Sequence, residues 1–320
     1  KTVLNREERK ARLTAEFQEA FGAEPSTWSR APGRVDLMGS HTDYNMGYVM
    51  TMTIDRDTWI AARPRADRQV RVRSLNVPGE SQFSLGLIDH DRKVPWSGYV
   101  RGMAFVLQEA GFLLEGIDGL IHSTVPFGSG LSSSAAIEMA TAVTFQQISG
   151  FELDPLEMAL LGQRAENEFV GVSTGILDQY SSALGQAGSA LLLDCRDLNS
   201  KHVQIAEGLR IVVCDTGAER NLVGSEYGDR RAQCEEGVRI LQKHYPDVNA
   251  LRDVSLEQFV DHESEMPPEV ARRCRFIIEE NQRVLDLAAV LPGGETTVLN
   301  DLFADSYRGA RDRSRFRSRS

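Results

Sequence analysis

The chain carries, between an apolar run and a helix-forming run, the sequence Val125-Pro126-Phe127-Gly128-Ser129-Gly130-Leu131-Ser132-Ser133-Ser134-Ala135-Ala136. Gly128 and Gly130 can adopt positive φ and let backbone N–H groups approach an anion closely, which a Cβ would hinder. The helix expected after them would present its free N–H groups and positive dipole end to the same anion. A flexible Gly/Ser linker is the alternative, and the apolar flanks on both sides disfavour it. The stretch therefore predicts a phosphate site in a strand–loop–helix unit.

This loop differs from the commonest nucleotide-binding loop, because no lysine follows its glycines. The hydroxyls of Ser132 to Ser134 can instead donate to phosphate oxygens or bind a metal ion. The formal net charge of the chain is −10, whereas a general nucleic-acid binder needs a basic surface. We therefore expect no nucleic-acid partner. An anionic ligand would be held locally by helix ends, a few basic side chains and a divalent cation.

Length and composition bound the class of protein. A chain of 320 residues, 41% of them hydrophobic, can form two domains around separate cores. The N-terminal segment is charged and has no apolar signal core, and no later run is long enough to cross a membrane. These features predict a cytoplasmic protein with no membrane partner. The cysteines are widely spaced, which predicts reduced thiols and neither a disulfide framework nor a zinc site; they are Cys195, Cys214, Cys234 and Cys274.

Hydrophobic periodicity predicts interleaved helices and strands without strict βαβ alternation, which favours the α+β class over a doubly wound sheet. The predicted helices cover about 6–22, 97–111, 134–149, 155–169, 227–244 and 269–290. Strand-like patterns cover parts of 28–52 and 58–85, and also 190–195 and 209–215. We expect an N-terminal domain over 1–190 with the phosphate loop, and a C-terminal domain over 191–312.

A second polar cluster runs from Arg30 to Asn45 and is pinned by a proline and glycines. Asp43 can accept hydrogen bonds from paired hydroxyls, His41 can donate or accept, and Arg34 supplies a fixed positive charge. Such a segment suits a small polyol ligand. The alternative is a solvated loop in which Asp and Asn act as turn formers.

A third cluster runs from Glu166 to Tyr180. Asp178 stands among apolar residues after a glycine-containing turn, where a carboxylate usually has a partner. The alternative for Asp178 is a helix N-cap. Glu166 lies on the preceding predicted helix and can reach a cation held by the serine loop, since Mg²⁺ prefers oxygen ligands.

Together, the three clusters resemble the galactokinase branch of the GHMP small-molecule kinase family. Pro32 through Asn45 looks like the branch's sugar signature, Pro126 through Ala135 like the family's ATP loop, and Gly175 through Gln179 like the segment with the catalytic aspartate. The segments Cys214–Gly217 and Glu226–Arg231 also sit where that branch has similar residues. The resemblance extends to about Asp312.

The resemblance implies a two-domain fold, with an N-terminal domain like ribosomal protein S5 and a ferredoxin-like C-terminal domain. It also implies an enzyme that uses ATP and Mg²⁺ to phosphorylate the anomeric hydroxyl of galactose, acting on a small-molecule sugar as a monomer. Two alternatives stay open, namely a kinase for a related sugar and a non-catalytic sensor of sugar and ATP.

The resemblance also implies roles for individual residues. Asp178 would be the catalytic carboxylate facing the attacking hydroxyl, with Arg34 as its charged neighbour on the phosphate side. Glu166 and Ser134 would hold Mg²⁺. The sugar pocket would be lined by Ser40, His41, Asp43, Gly175 and Tyr227. The ATP phosphates would lie against Gly128, Ser129, Gly130, Leu131, Ser132, Ser133 and Ser134.

The chain departs from the family pattern in its signature and near its end. Ser40 stands where galactokinases usually have Glu, Asp36 where they have Asn, and Met46 where they have Gly. A neutral serine removes a carboxylate acceptor, so strict selectivity for galactose is not expected. The family's third Gly-rich motif is missing, and 313–320 alternates Arg and Ser. We expect that tail to be disordered and the C-terminal domain to be incomplete.

Overall fold

The structure, a computed structural model, describes residues 5–172, 174–214 and 226–314. The chain divides into two units, the first made of Lys1–Arg34 and Thr53–Leu184 and the second of Val35–Met52 and Gly185–Ser320. The segment Val35–Met52 thus belongs to the second unit, whereas the sequence predicted two contiguous domains. Its apolar side chains explain the difference, because Leu37 and Met50 are buried in a cluster with residues from near the C-terminus.

The first unit is a sheet covered by helices. Its strands lie in the order β4-β3-β5-β2, with β1 paired to β2. β3 runs parallel to β5, and the pairs β3–β4 and β2–β5 are antiparallel. The elements, in chain order, are α1 (Arg6–Phe21), β1 (Thr27–Met38), β2 (Tyr48–Arg65), β3 (Gln69–Ser74), β4 (Glu80–Ser84), α2 (Gly98–Glu109), β5 (Gly116–Ser123), α3 (Ser133–Ser149), α4 (Pro155–Arg164) and α5 (Leu177–Leu184).

Alternation along β2 sends neighbouring side chains to opposite faces of this sheet. Ile60 packs into a cluster with Met103 of α2 and Phe145 of α3. The next residue, Ala61, packs into a second cluster with Phe17 of α1. Helices therefore cover both faces of the sheet. Because β5 belongs to this sheet and α3 packs on it, the loop between β5 and α3 is held at both ends.

The second unit combines the start of β2 with two strands and the helices of the C-terminal half. The strands pair antiparallel in the order β2-β6-β7, and Met50 lies opposite Leu192. Its further elements are β6 (Ser189–Asp194), β7 (Ser200–Gln204), α6 (Glu226–Leu241), α7 (Leu256–His262), α8 (Pro268–Val290) and α9 (Thr296–Ser314). α8 contributes to two buried clusters, through Ile277 in one and Val284 and Leu287 in the other.

Most predicted elements are confirmed, with three differences. α9 continues to Ser314, into the tail predicted to be disordered over 313–320, and the rest of that tail lies outside the described residues. The helix expected over 155–169 continues past α4 as a π-helical turn over Ala165–Val170. The strand expected over 209–215 is wrong for 209–214, which has no regular structure and leaves Val212 79% exposed. No strand in the described part of the chain pairs with these residues, and an apolar run forms a strand only when a neighbour takes its backbone hydrogen bonds. The ferredoxin-like architecture of the C-terminal domain stays a prediction.

Candidate active site

The phosphate loop connects β5 to α3, so the predicted strand–loop–helix unit is present. Gly128 and Gly130 have φ of +70° and +76°, in the left-handed region that glycine adopts at little cost. Ser132 is left-handed too, with φ of +58°, at the N-cap of α3. The free backbone N–H groups of the first turn of α3 therefore follow directly on the loop, as an anion site requires.

Asp178 lies in the first turn of α5, and both of its carboxylate oxygens have partners. Oδ1 is paired with the Arg34 guanidinium, and the Ser132 hydroxyl donates to Oδ2 over 2.6 Å. The aspartate is 28% exposed and Arg34 only 9%. The carboxylate is thus held in one orientation at the inner end of the loop and still reaches open space. The N-cap alternative for Asp178 does not account for these contacts.

Arg34 also ties β1 to the phosphate loop. Its Nη1 donates to the Gly130 carbonyl over 2.7 Å, and its backbone N–H donates to the Leu131 carbonyl over 3.1 Å. The approach requires glycine before it, because a Cβ on Gly33 would lie 2.6 Å from the Leu131 oxygen. The Pro-Gly-Arg sequence therefore positions a guanidinium between the loop and the catalytic candidate.

Two buried glutamates lie in the same unit. Glu166, in the π-helical turn, is 3% exposed and accepts a hydrogen bond of 2.5 Å from the Thr174 hydroxyl. Glu138, in α3, is fully buried, and Gln179 donates to its Oε2 over 2.9 Å. Burial raises the pKa of Glu138 well above its usual value, and the charges of Glu166 and Asp178 raise it further. Three carboxyl groups thus share one region, and sequence reasoning overlooked Glu138 although it interrupts an apolar helix face.

A cavity of about 140 Å³ opens beside the start of α3. Its walls include the aromatic rings of Trp96 and Tyr99, and Ser133 and Ser134 line the end nearest the loop. Burial, with Glu166 and Glu138 nearby, raises the pKa of Tyr99 to about 12, so its hydroxyl stays protonated at neutral pH. An aromatic slot next to an anion-binding loop suits a planar base attached to phosphates. The sequence offered no signal for it, since the lining residues are spread from Thr58 to Ile137.

The sugar signature of the second unit turns sharply between β1 and β2. Gly39 has φ of +104°, and a Cβ there would lie 2.8 Å from the Tyr48 oxygen. α8 holds the segment at both ends, since Glu280 accepts from the Gly39 N–H and Asn281 from the Tyr48 N–H. The Thr42 hydroxyl closes the turn by contacts to the carbonyls of Gly39 and Tyr48. The segment is therefore a rigid support for its exposed polar side chains.

His41 lies in this turn with its ring 5.8 Å from that of Tyr44. Burial lowers the pKa of His41 to about 4, with Arg230 and Arg273 as further causes. Arg230 Nη1 lies 3.1 Å from Nε2 of the imidazole. Because the guanidinium can only donate, Nε2 accepts and the proton resides on Nδ1. His41 is therefore a neutral hydrogen-bonding group at physiological pH.

The structure places the predicted site residues in two groups. The first unit holds Arg34, the phosphate loop, Glu166, Gly175 and Asp178, and brings Arg34, Ser132 and Asp178 into direct contact. The second unit holds Ser40, His41 and Asp43; Ser40 is exposed and Asp43 partly buried. The side chain of Tyr227 lies outside the described residues.

Comparison with known proteins places this arrangement in a class. Residues 98–186 match the model of the GHMP kinases N-terminal domain, and residues 15–64 match the galactokinase galactose-binding signature. The fold and the loop are thus those of a GHMP small-molecule kinase. A mevalonate kinase, at 14% identity and a TM-score of 0.57 over 90% of this chain and 80% of its own, shares that fold.

Relatives with higher sequence identity identify the family within this class. The galactokinase of Chloroflexus aggregans is 47% identical over 94% of this chain and 77% of its own, and that of Roseiflexus sp. is 45% identical over 94% and 76%. The crystal structure of Lactococcus lactis galactokinase complexed with galactose matches with a TM-score of 0.85 at 31% identity, covering 96% of this chain and 80% of that one. The chain belongs to the galactokinase family. None of its described helices is both long and apolar enough to span a membrane.

Proposed function

We propose that this protein transfers the γ-phosphoryl group of ATP to the anomeric hydroxyl of galactose, giving galactose 1-phosphate. The observation that carries the proposal is the carboxylate of Asp178, held by Arg34 and Ser132 where the phosphate loop enters α3. Phosphoryl transfer depends chiefly on positioning and charge neutralisation. An oriented carboxylate, a guanidinium and an N–H cradle in one unit supply both.

The nucleotide would use the loop and the cavity beside it. The backbone N–H groups of the loop and the hydroxyls of Ser133 and Ser134 would donate to the phosphates, while the Ser132 hydroxyl stays on Asp178. The aromatic slot at Trp96 and Tyr99 would take the base. Other nucleotide-binding loops contain a lysine that this loop lacks. Arg34, which contacts the Gly130 carbonyl of the loop, would supply the positive charge instead. Arg34 would also neutralise charge that develops on the transferred group.

Mg²⁺ fits the donors that are present. Ser134 and Glu166 offer a hydroxyl and a carboxylate, which are hard oxygen ligands, and Glu166 lies in a region with two further carboxyl groups. These two residues would hold the ion. When bound, it would neutralise charge on the phosphate oxygens.

Asp178 would act on the sugar hydroxyl. Its oxygen atoms are fixed by two donors, so the lone pairs left over have a defined direction toward an incoming hydroxyl. The sugar itself would be recognised by Ser40, His41, Asp43, Gly175 and Tyr227. His41 suits this role because a neutral imidazole with its proton on Nδ1 can donate to a hydroxyl.

A broader sugar range is the second candidate, and the exposed Ser40 favours it. A site without a carboxylate acceptor at that position does not reject analogues that lack the matching hydroxyl. A non-catalytic sensor is the third candidate. The intact contacts among Arg34, Ser132 and Asp178 favour the enzyme, since a sensor has no need of an oriented carboxylate at the phosphate loop.

Asp178→Asn tests the proposal. The amide keeps the shape but not the charge, so we expect turnover to fall at least a hundredfold, about 2.7 kcal/mol, while galactose and ATP still bind. Turnover is followed by ADP release and binding by calorimetry. Asp154→Asn is the matched control, because Asp154 only caps α4 by accepting from the Leu156 N–H. An Asp178→Asn protein with more than about a tenth of wild-type turnover would remove Asp178 from the mechanism.

A further inference from the structure

Outside the site described above, two histidines and a glutamate meet on the surface of the second unit. Glu265 Oε2 lies 2.8 Å from His244 Nε2, and Glu265 Oε1 lies 2.8 Å from His262 Nδ1. The two imidazole rings are stacked, with centroids 3.6 Å apart and planes inclined by 12°. One ligand atom from each residue lies within 4.8 Å of the other two. We call these three residues the histidine cluster.

We propose that the histidine cluster is a binding site for a divalent transition-metal ion, with Zn²⁺ as the best match. Two imidazole nitrogens and one carboxylate oxygen are a typical three-ligand set for Zn²⁺, and water completes the tetrahedron. Mg²⁺ and Ca²⁺ are poorer matches because they prefer all-oxygen sites. The site is independent of the proposed kinase reaction, whose residues it does not include.

The backbone around the histidine cluster is held in place before any ion binds. His244 lies in the turn that ends α6, where its N–H donates to the Leu241 carbonyl over 3.0 Å. His262 ends α7, which is anchored by the fully buried Phe259. Glu265 precedes Met266, which is 6% exposed and thus buried too. The three side chains therefore converge from two anchored segments, and little backbone ordering is needed on binding.

The side chains must adjust to admit an ion. Zn–N bonds of about 2.0–2.1 Å at a tetrahedral angle put two ligand nitrogens roughly 3.4 Å apart, whereas the present ligand atoms lie within 4.8 Å of one another. The stacked rings would tilt so that each lone pair points at the ion. Their exposure leaves room for that movement, since the side chains of His244 and His262 are 33% and 20% exposed. The ion would join the end of α6 to the end of α7.

Titration of the full chain with Zn²⁺ tests the site, with Co²⁺ as a coloured substitute. We expect micromolar affinity, and a rise in the thermal midpoint with Zn²⁺ concentration because an ion that binds only the folded state stabilises it. His244→Ala and His262→Ala should each weaken binding at least tenfold. His202→Ala is the matched control, because His202 is a partly buried histidine of the same unit on β7. Glu265→Gln changes the third ligand without changing its shape. It therefore tests the site independently of any loss of folding in the histidine variants.

Two further measurements distinguish metal binding at the histidine cluster from binding at other residues. Binding should weaken in acid, since protons compete with the metal for the imidazole nitrogens. The Co²⁺ spectrum should lack thiolate charge-transfer absorption, which would instead indicate the cysteines. A wild-type protein that binds no Zn²⁺, equal binding in all four variants, or a thiolate spectrum would each overturn the proposal.

Discussion

Met46 shows at the scale of one residue what a departure from a family pattern costs. It stands where galactokinases usually have glycine, and its φ is +56°, in the left-handed region. A side chain there costs roughly 1–2 kcal/mol because Cβ approaches the following carbonyl oxygen. The conformation is nevertheless held, since its N–H donates to the Asp43 carbonyl and its own carbonyl accepts from Arg252.

Met46→Gly should therefore stabilise the protein by about 0.5–1 kcal/mol, the relief of strain being partly offset by the greater freedom of glycine when unfolded. Met46 is 45% exposed, so little buried contact is lost. Urea unfolding of the second unit measures the change. Met46→Ala is the control, because alanine keeps the Cβ and should give no gain. A Gly variant that is no more stable than the Ala variant would contradict the account.

Ser40 sets a second expectation at this scale. Because it offers no carboxylate acceptor, galactose and its 6-deoxy analogue should be phosphorylated with kcat/KM values within about tenfold of each other. Ser40→Glu should widen that ratio by restoring an acceptor. Steady-state kinetics on both sugars in both proteins gives the comparison. If the wild-type protein already prefers galactose by a factor of about 10³ or more, the role assigned to Ser40 is wrong.

At the scale of the element, α3 and α5 are joined by a buried polar pair. Gln179 donates to Oε2 of Glu138, while Oε1 of each side chain has no hydrogen-bond partner among the described residues. Two buried acceptors without donors are unfavourable unless one of them becomes a donor. A protonated Glu138 supplies that donor, in line with the raised pKa of its carboxyl group.

Glu138→Gln should consequently cost less than about 1 kcal/mol, because the amide replaces a neutral acid of the same shape and carries donors of its own. Glu138→Ala is the contrasting variant. It leaves a cavity and the unpartnered Gln179 amide, and should cost roughly 2–4 kcal/mol. Chemical unfolding at neutral pH measures both. Equal losses in the two variants would mean that Glu138 is charged in the folded protein.

Helix and strand boundaries were the most predictable features at this scale. Gly22 ends α1 with φ of +72°, as glycine after a periodic apolar run predicts. The strand predicted over 209–215 is wrong for 209–214, because an apolar pattern indicates a buried segment but not whether a partner strand is available. Asp178 was placed by its resemblance to a family motif. Its pairing with Ser132 was not foreseen, since the left-handed turn at Ser132 has no signature in a serine-rich run.

At the scale of the whole molecule, each unit holds a partly buried histidine that is neutral at physiological pH. Burial lowers the pKa of His122 in the first unit to about 4, with Arg9 and Arg12 as further causes, and the pKa of His41 in the second is also about 4. The assignment of Val35–Met52 to the second unit was not predictable, because chain order does not show which core a segment joins. The same holds for the cavity beside the start of α3, whose walls come from distant parts of the chain.

Acid should destabilise both units in the same range of pH. The unfolded histidines take up protons near pH 6.5 and the folded ones only near 4. Their contribution is therefore complete above pH 6.5 and is lost as the pH falls toward 4, at about 1–2 kcal/mol for each after allowance for solvent. Urea unfolding between pH 7.5 and 4.5 tests this. His122→Gln, which keeps an acceptor for Arg9 but cannot titrate in this range, should flatten the dependence for the first unit. An unchanged slope would rule His122 out as a cause.

On the proposed function, the double attachment of Arg34 would link the binding of the nucleotide thermodynamically to the binding of the sugar. One guanidinium contacts both the Gly130 carbonyl and the Asp178 carboxylate, so a shift of the loop on phosphate binding would also move the carboxylate proposed to face the acceptor hydroxyl. Such coupling is reciprocal, because each ligand changes the binding affinity for the other by the same factor. On the proposed function, this coupling would disfavour ATP hydrolysis in the absence of sugar, because the Asp178 carboxylate would reach its reactive orientation only with both substrates bound.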